Sequence, residues 1–497
     1  MRGPCWTCRK RTIQCDQSRF PCAKCEKAGL ECLDKRPLRW VKGVAIRGKM
    51  RGQDFDSNKS HVVQAKRKKL LPDSAKQLAV NGSPSLALQD PHISSLSQQS
   101  RFYIEYYDKR VCKLYILYDS DSNPFRNLLS YALEDGALQK SIVALAARHF
   151  ANSGYSFDQV EEDSSHRFAK AKLEALQFKK KAIEALSSSL SHPESYKKDA
   201  TLATILLLIF VDLLESGIDG WSFHIQGAKV IHQLLAESGS NCNAIIDRGE
   251  TATEIRQFIT RQLFLIETLG TAFSSSTPVF ECPVEGQEST HHESIVRSFL
   301  GCPEFLLRAI SFFSNQRALI MESRRRDNFA VPTNIRDTIA MLELTDEFDC
   351  FEWASNFQQP EESSTMEIDQ LLMLSQAYKN AALLYGRQVL GTPWTETARN
   401  EELVSQLLGL VESLKNNATL FKCLLWPTFM AGLGSQAQSQ KDAVIGLLGM
   451  LWYSTSCLNV ISASKLLRDY WERKEHTCTR MQGTSDIDEL AYGWLLI

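Results

Sequence analysis

The sequence predicts a chain in three parts: a small head organised by cysteines, a poorly ordered connector and a large all-α body. Three observations carry that prediction. Six of the 14 cysteines fall between Cys5 and Cys32 in a duplicated spacing. Charge divides along the chain, because residues 1–71 hold 19 basic and 6 acidic side chains, net +13, and the remainder is net −14. The whole-chain balance of −1 therefore conceals a basic head before an acidic body. Beyond residue 101, apolar side chains recur at helical spacing and strand-like alternation is scarce. With 497 residues, 43% apolar and 23% charged, the chain has material for two or three folded units.

The head comes first. Its opening, Met1-Arg2-Gly3-Pro4-Cys5, lacks the apolar run of a secretory signal, so a reducing compartment is expected and disulfides are a poor default. The cysteines follow Cys5-x2-Cys8-x6-Cys15-x6-Cys22-x2-Cys25-x6-Cys32. A Cys-x2-Cys pair brings two sulfurs to one tetrahedral zinc, but closure needs four, and each half offers three. Six sulfurs complete two sites only if two of them bridge, and symmetry nominates Cys5 and Cys22. One ion would take Cys5, Cys8, Cys15 and Cys22, and the other Cys22, Cys25, Cys32 and Cys5. The rival arrangement is a single four-cysteine zinc with two spare thiols. Arg9, Lys10, Arg11, Lys24 and Lys27 can offset the excess thiolate charge and still face phosphate. A segment of about 30 residues cannot bury enough apolar surface to fold alone, so metal should supply its folding energy. The other eight cysteines (Cys112, Cys242, Cys282, Cys302, Cys350, Cys423, Cys457 and Cys478) are scattered singly and read as small buried hydrophobes.

Residues Cys5 to Cys32 resemble the fungal zinc binuclear cluster of transcription factors, the six-cysteine, two-zinc type. The resemblance implies two short helices, one after each Cys-x2-Cys, related by a pseudo-twofold axis, with the end of the first entering the DNA major groove. Pro21 matches the proline usual in the central loop, although one residue nearer to the cysteine than is common. Of the basic positions common in the family after the second cysteine, Arg9 and Arg11 fit, whereas Thr12 and Gln14 depart, which puts a preference for CGG triplets in doubt. On chemical grounds Arg11 and Lys10 are candidates for guanine O6 and N7, with a plain phosphate role as the competing reading. Arg9, Arg19, Lys24 and Lys27 read as phosphate contacts or as solvated charges.

The connector spans residues 37–100, where Pro, Ser, Gln, Asn and charge dominate without a sustained apolar period. Its stretch Leu38-Arg39-Trp40-Val41-Lys42-Gly43, running on to Lys49, is similar to the continuation found in regulators of the fungal acriflavine-sensitivity-control group. Lys66-Arg67-Lys68-Lys69 is a compact cationic run of the nuclear-import kind, with an idle solvated cluster as the alternative. No heptads persist over three repeats, so coiled-coil pairing beside the head is not expected.

The body, residues 101–497, opens with Tyr103, Tyr107, Leu114 and Leu117 on one helical face. Leu173, Leu176, Ile183 and Leu186 repeat that pattern in a helix over 165–189, read as an ordinary bundle helix with a dimer seam as the alternative. Further helices are expected over 136–152, 198–215, 222–236, 253–272, 366–387, 399–415 and 438–469. Leu202–Val211 is too short to span a membrane, and Ala443–Ser464 carries Ser454, Thr455, Ser456 and Asn459, so both read as buried helices. Tyr106-Tyr107, Asn123-Pro124-Phe125, Trp221 through His224-x2-Gly227-Ala228, and Leu425-Trp426-Pro427 resemble the fungal-specific transcription factor regulatory domain. That resemblance implies a helical fold concerned with activation control, and no catalytic residues.

Phosphate-binding glycine loops, nucleophile elbows and His-Glu-x-x-His pairs are missing from the sequence, so an enzyme is not expected. His224 and His232 read as structural, and His291-His292 as a solvated loop. The expectation is thus a small Zn2Cys6 binuclear-cluster DNA-binding domain (residues 1–36), a flexible basic linker (37–100) and a large all-α regulatory domain (101–497). Such a chain would act in the nucleus as a regulator of RNA polymerase II transcription, holding two zinc ions and binding double-stranded DNA. Co-regulators, a small-molecule effector and pairing through the large domain are further expected partners, alongside monomeric binding. A zinc-organised protein-interaction module on a helical scaffold is the rival.

Overall fold

The computed structural model describes residues 4–17, 19–33, 96–157, 166–192, 198–218, 220–239, 250–273, 300–325, 335–356, 365–391, 398–476 and 493–496. Its backbone divides into two compact units, Met1–Ser85 and Leu86–Ile497. Within the first lie α1 (Trp6–Lys10) and α2 (Ala23–Lys27). The segments around Trp40, Lys66–Lys69 and His291-His292 lie outside the described residues.

Helices are the regular structure of the second unit, with no strand among its described residues. In order come α3 (Gln98–Tyr106), a wider turn over Tyr107–Val111, α4 (Pro124–Ala132), α5 (Gly136–Asn152), α6 (His166–Leu190), α7 (Asp199–Glu215), α8 (Trp221–Gly239) and α9 (Glu250–Thr271). There follow α10 (Glu304–Arg325), α11 (Ile335–Glu347), α12 (Cys350–Ser355), α13 (Thr365–Val389), α14 (Ala398–Leu414), α15 (Ala418–Phe421), α16 (Leu425–Gly434), α17 (Gln438–Thr455) and α18 (Leu458–His476). The starts obey capping chemistry. Asn123 accepts from the Phe125 amide ahead of Pro124, Asp135 accepts from Ala137 and Leu138, and Asp349 and Asn417 do the same for α12 and α15.

Two helices organise the core. Every residue of α7 from Ala200 to Leu214 is buried, which is why its sequence is apolar all round rather than amphipathic. Around it pack α5, α6, α8, α9 and α18. Farther along, α13 is surrounded by α10, α11, α12, α14 and the wholly buried α16, where Trp426 stacks parallel to Tyr378. Cys112, Cys302, Cys350, Cys423 and Cys457 are buried and in no disulfide, as small hydrophobes would be, while Cys242, Cys282 and Cys478 lie outside the described residues.

Three groups of hydrogen bonds, two in each, tie distant elements together. Lys422 Nζ donates to the carbonyls of Lys113 and Ile116 at 2.6 and 2.5 Å. Asn152 Nδ2 donates to Leu214 O and Ser456 O at 2.7 and 2.9 Å. The Leu495 amide reaches Gly217 O at 2.7 Å, and Trp221 Nε1 reaches Gly493 O at 2.8 Å. One buried ionic group accompanies them: Lys179 Nζ bonds Asp212 at 2.7 Å and Glu215 at 2.5 Å, with His224 Nε2 at 3.7 Å from the other Asp212 oxygen. Gly220, at φ +79°, leaves room for that carboxylate, since a Cβ there would fall 2.6 Å from Asp212 Oδ2.

Three sequence expectations need correction. The helix expected over 438–469 is two, because Ser456 adopts a left-handed conformation at φ 52° between α17 and α18. Tyr103 and Tyr107 do face the core, but α3 ends at Tyr106 and the chain leaves regular α-helix before Leu114. The packed face of α6 is formed by Ala171, Ala175, Ala182 and Leu186, while Leu173, Leu176 and Ile183 point to solvent. Short alanines let two helix backbones approach closely, and the larger side chains are left outside.

Candidate metal centre and nucleic-acid interface

The head repeats itself at an offset of 17 residues. Cys5 caps α1 and Cys22 caps α2 with nearly equal backbone angles (φ −59°, ψ 149° and φ −69°, ψ 148°). In each, the capping sulfur accepts from the amide three residues on, Cys8 or Cys25, at 3.4 Å. Each helix ends on a left-handed residue, Thr12 at φ 54° and Gly29 at φ 60°. The next amide, Ile13 or Leu30, returns to the carbonyl of Cys8 or Cys25 at 3.0 Å in both halves.

The six sulfurs converge. Cys5, Cys8, Cys15 and Cys22 offer sulfurs all within 4.8 Å of one another, and so do Cys5, Cys22, Cys25 and Cys32. The two sets share Cys5 and Cys22. Sulfurs bound at about 2.3 Å to one tetrahedral zinc stand about 3.8 Å apart. Observed separations are 3.8 Å for Cys5 to Cys22 and to Cys25, 3.6 Å for Cys8 to Cys22, and 3.7 Å for Cys8 to Cys25. No disulfide joins them, since all six are free thiols. The donor set therefore fits two zinc ions. Mutual burial pushes the Cys8 thiol up to about 12. The Cys25 amide, by contrast, lowers Cys22, and in Cys5 the Cys8 amide and neighbouring thiols outweigh burial to lower it too. The surroundings of both shared sulfurs thus favour thiolate.

Among the described residues, no fully buried apolar side chain other than cysteine supports this arrangement. The buried cluster of the head consists of the six cysteines, while Ile13, Phe20 and Leu30 are exposed. Its remaining cross-ties are polar: the Trp6 amide donates to Leu33 O at 2.7 Å, and Thr7 Oγ1 donates to Glu31 O at 2.7 Å and accepts from the Leu33 amide at 3.0 Å. Asp16 Oδ2 accepts from the Ala23 amide at 3.0 Å, at the start of α2. Thr7 and Asp16 carry no spacing signal, so sequence reading missed them.

The basic residues separate by engagement. Arg9, Lys10 and Arg11 project from the end of α1, all exposed, with no acidic side chain on that helix. Lys10 Nζ lies over the Trp6 ring, 5.2 Å from its centroid, a pair that the i, i+4 spacing makes readable in retrospect. Arg19 is paired with Glu26, and Lys24 Nζ donates to Gln14 O at 2.6 Å. Lys27 is exposed on α2. The end of α1 is accordingly the cationic tip of the head, and α2 carries its own acid.

Comparison with known proteins agrees with this geometry. Residues 3–40 match the fungal Zn(2)-Cys(6) binuclear cluster domain, and residues 101–489 match the fungal specific transcription factor domain. The chain belongs to the fungal specific transcription factor family. As a member it is a DNA-binding transcription regulator whose head binds two zinc ions. This transcription factor is also similar to the acriflavine sensitivity control protein acr-2 of Neurospora crassa, 22% identical over 428 residues that cover 82% of this chain and 67% of the relative. No solved structure matches it. Among its described residues, no helix is long and apolar enough to cross a membrane. A partly open cavity in the regulatory body, lined by Tyr115, Phe210, Lys422 and Asn459, measures about 30 Å³, room for water.

Proposed function

We propose that this transcription factor recognises a specific double-stranded DNA sequence through the tip of α1 and regulates RNA polymerase II transcription in the nucleus. The observation that carries this reading is the pair of four-sulfur sets sharing Cys5 and Cys22, which sits directly behind Arg9, Lys10 and Arg11. Zinc, when bound, cross-links the two halves. The chain's own residues then do the recognising. Cys5, Cys8, Cys15, Cys22, Cys25 and Cys32 are the ligands in this reading, and residues 1–36 form the DNA-binding domain. Residues 37–100 link it, with Lys66, Arg67, Lys68 and Lys69 as the import signal, to the regulatory domain at 101–497.

Arg11 and Lys10 are assigned to base edges, and Arg9, Arg19, Lys24 and Lys27 to phosphates. Arg19 and Lys24 must exchange Glu26 and the Gln14 carbonyl for phosphate, so their contribution should be smaller than that of Arg9. The function is binding and not catalysis. The test is selection of bound sites from a random DNA pool by the full chain, with and without a chelator. Enrichment of one motif only in the metal-loaded sample is the expected result, and recovery of unrelated sequences overturns sequence specificity. Arg11→Ala should cost about 1–3 kcal/mol at one base pair of that motif. Equal weakening on motif and random DNA would make Arg11 a phosphate contact.

A further inference from the structure

The alanine face of α6 has a counterpart on its solvent side. Leu173, Leu176, Ile183 and Leu190 are 57%, 46%, 41% and 42% exposed. Their spacing of 3, 7 and 7 keeps them in one stripe along the helix. Helix α8 does the same: Trp221, Ile225 and Ala228 are buried, while Phe223 and Val230, seven apart, are 76% and 55% exposed. Between them Gly227 faces open space, since a Cβ there would meet nothing within 4 Å. Both helices pack on α7 and meet at one buried carboxylate, Asp212, which takes Lys179 from α6 and faces His224 from α8. The two helices that carry the stripes therefore come together at Asp212. Scattered exposed apolar residues are ordinary, but a continuous row along a helix, with further exposed apolar residues on a second helix that reaches the same carboxylate, is a surface against which an amphipathic helix lays its own apolar face.

Charge selects the occupant. Lys170, Lys172, Lys180 and Lys181 are exposed on α6, with Lys180 set between Leu176 and Ile183. The exposed acid of that helix is Glu184, held near Lys180 at 3.7 Å, while Glu174 is largely covered, receives the Tyr103 hydroxyl and lies 3.8 Å from Lys170, so the helix keeps an excess of lysine. A second copy of the chain placed α6 against α6 would oppose lysine to lysine. We propose that the α6 and α8 face docks an acidic amphipathic helix of a partner protein, its apolar residues at i, i+3 or i+4, and i+7 covering Leu173, Leu176, Ile183 and Phe223. From Leu173 to Leu190 the stripe runs about 26 Å, which calls for a partner helix of about 18 residues. Docking here is independent of DNA recognition by the head.

The probe is a fluorescent synthetic peptide of about that length, with leucines at helical spacing and glutamates on the rest of its surface. Fluorescence anisotropy against the full chain should give saturable binding that weakens with salt. Ile183→Glu and Leu176→Glu, both at exposed positions, should weaken it at least about tenfold with unchanged circular dichroism. A chain carrying Lys172→Glu and Lys180→Glu should bind the lysine version of the peptide instead. Absence of saturable binding overturns the proposal, as does equal binding of a shuffled peptide of the same composition, or indifference to Ile183→Glu. A full-chain dimer in light scattering that Ile183→Glu dissociates would also overturn it, by assigning the face to a second copy.

Discussion

Replacing Cys22 by alanine separates shared from unshared sulfurs. Cys22 stands in both four-sulfur sets and Cys15 in one. Cys22→Ala leaves each set with three donors, whereas Cys15→Ala leaves the set of Cys5, Cys22, Cys25 and Cys32 complete. Zinc content should fall from two per chain to about none in the first variant, and to about one in the second. The consequence for folding follows from what the head lacks. A structural zinc contributes about 10–16 kcal/mol of apparent binding energy at pH 7. Among the described residues, the buried cluster of the head is made of the six cysteines alone. Cys22→Ala should therefore abolish specific DNA binding outright, and Cys15→Ala should retain a half-ordered head with α2 in place. Elemental analysis of purified full chain, paired with a mobility shift, measures both. Two zincs retained by Cys22→Ala would refute the sharing. So would a loss in Cys15→Ala as large as in Cys22→Ala. A single zinc in the wild type that survives Cys15→Ala would point instead to the four inner sulfurs, Cys5, Cys8, Cys22 and Cys25, acting alone.

Three further outcomes are expected. Trp6→Ala removes the ring beneath Lys10; DNA affinity should drop about two- to fivefold, from about 0.5–1 kcal/mol, at unchanged zinc content, and an unaltered affinity would deny Trp6 a positioning role. Lys179→Met leaves the 2% exposed Asp212 without its cation, which should cost about 3–5 kcal/mol and lower the melting temperature by several degrees; Lys180→Met, on the exposed side, should leave it unmoved, and equal melting of both variants would refute the buried pair. Burial holds His149 and His224 at about 4. Unfolded histidine titrates near 6.5, so between pH 6.5 and 4 the unfolded chain binds protons that the folded chain refuses. Stability is complete above that window and declines as pH falls through it, by on the order of 3 kcal/mol for the well-buried His149. Melts from pH 7 to 4.5 should show that slope, reduced in His149→Gln, and identical slopes in the two proteins would exclude His149 as its source.

The head was legible because ligand spacing is itself geometry: Cys-x2-Cys brings two sulfurs to one ion, and the doubled spacing recurs in the structure as two matching halves, although the left-handed Thr12 and Gly29 that end their helices were not anticipated. In the body, α5, α7 and α13 were readable from long apolar periods. Others were not. Helices α10 and α11 mix charge into their apolar runs, α16 begins on Leu425-Trp426-Pro427, and the break at Ser456 has neither glycine nor proline to announce it. The face of α6 was misread because the larger side chains were taken to be inside, whereas close helix approach rewarded Ala171, Ala175 and Ala182. Pairings such as Lys179 with Asp212, 33 residues apart, follow from topology that no local pattern encodes. Likewise, spacing could nominate six basic DNA contacts but not that Arg19 and Lys24 are engaged within the head.

The ties from Lys422 to Lys113 and Ile116, and from Asn152 to Leu214 and Ser456, bear on how this factor is best dissected genetically. A deletion ending between them strips donors from backbone carbonyls and uncovers α7. Its phenotype would then reflect aggregation and proteolytic turnover, not the loss of a separable activity. Nested truncation, the usual route to mapping an activation region, is a poor tool for this body. Single substitutions on its solvent-facing surface keep the scaffold whole and leave any change in reporter output interpretable.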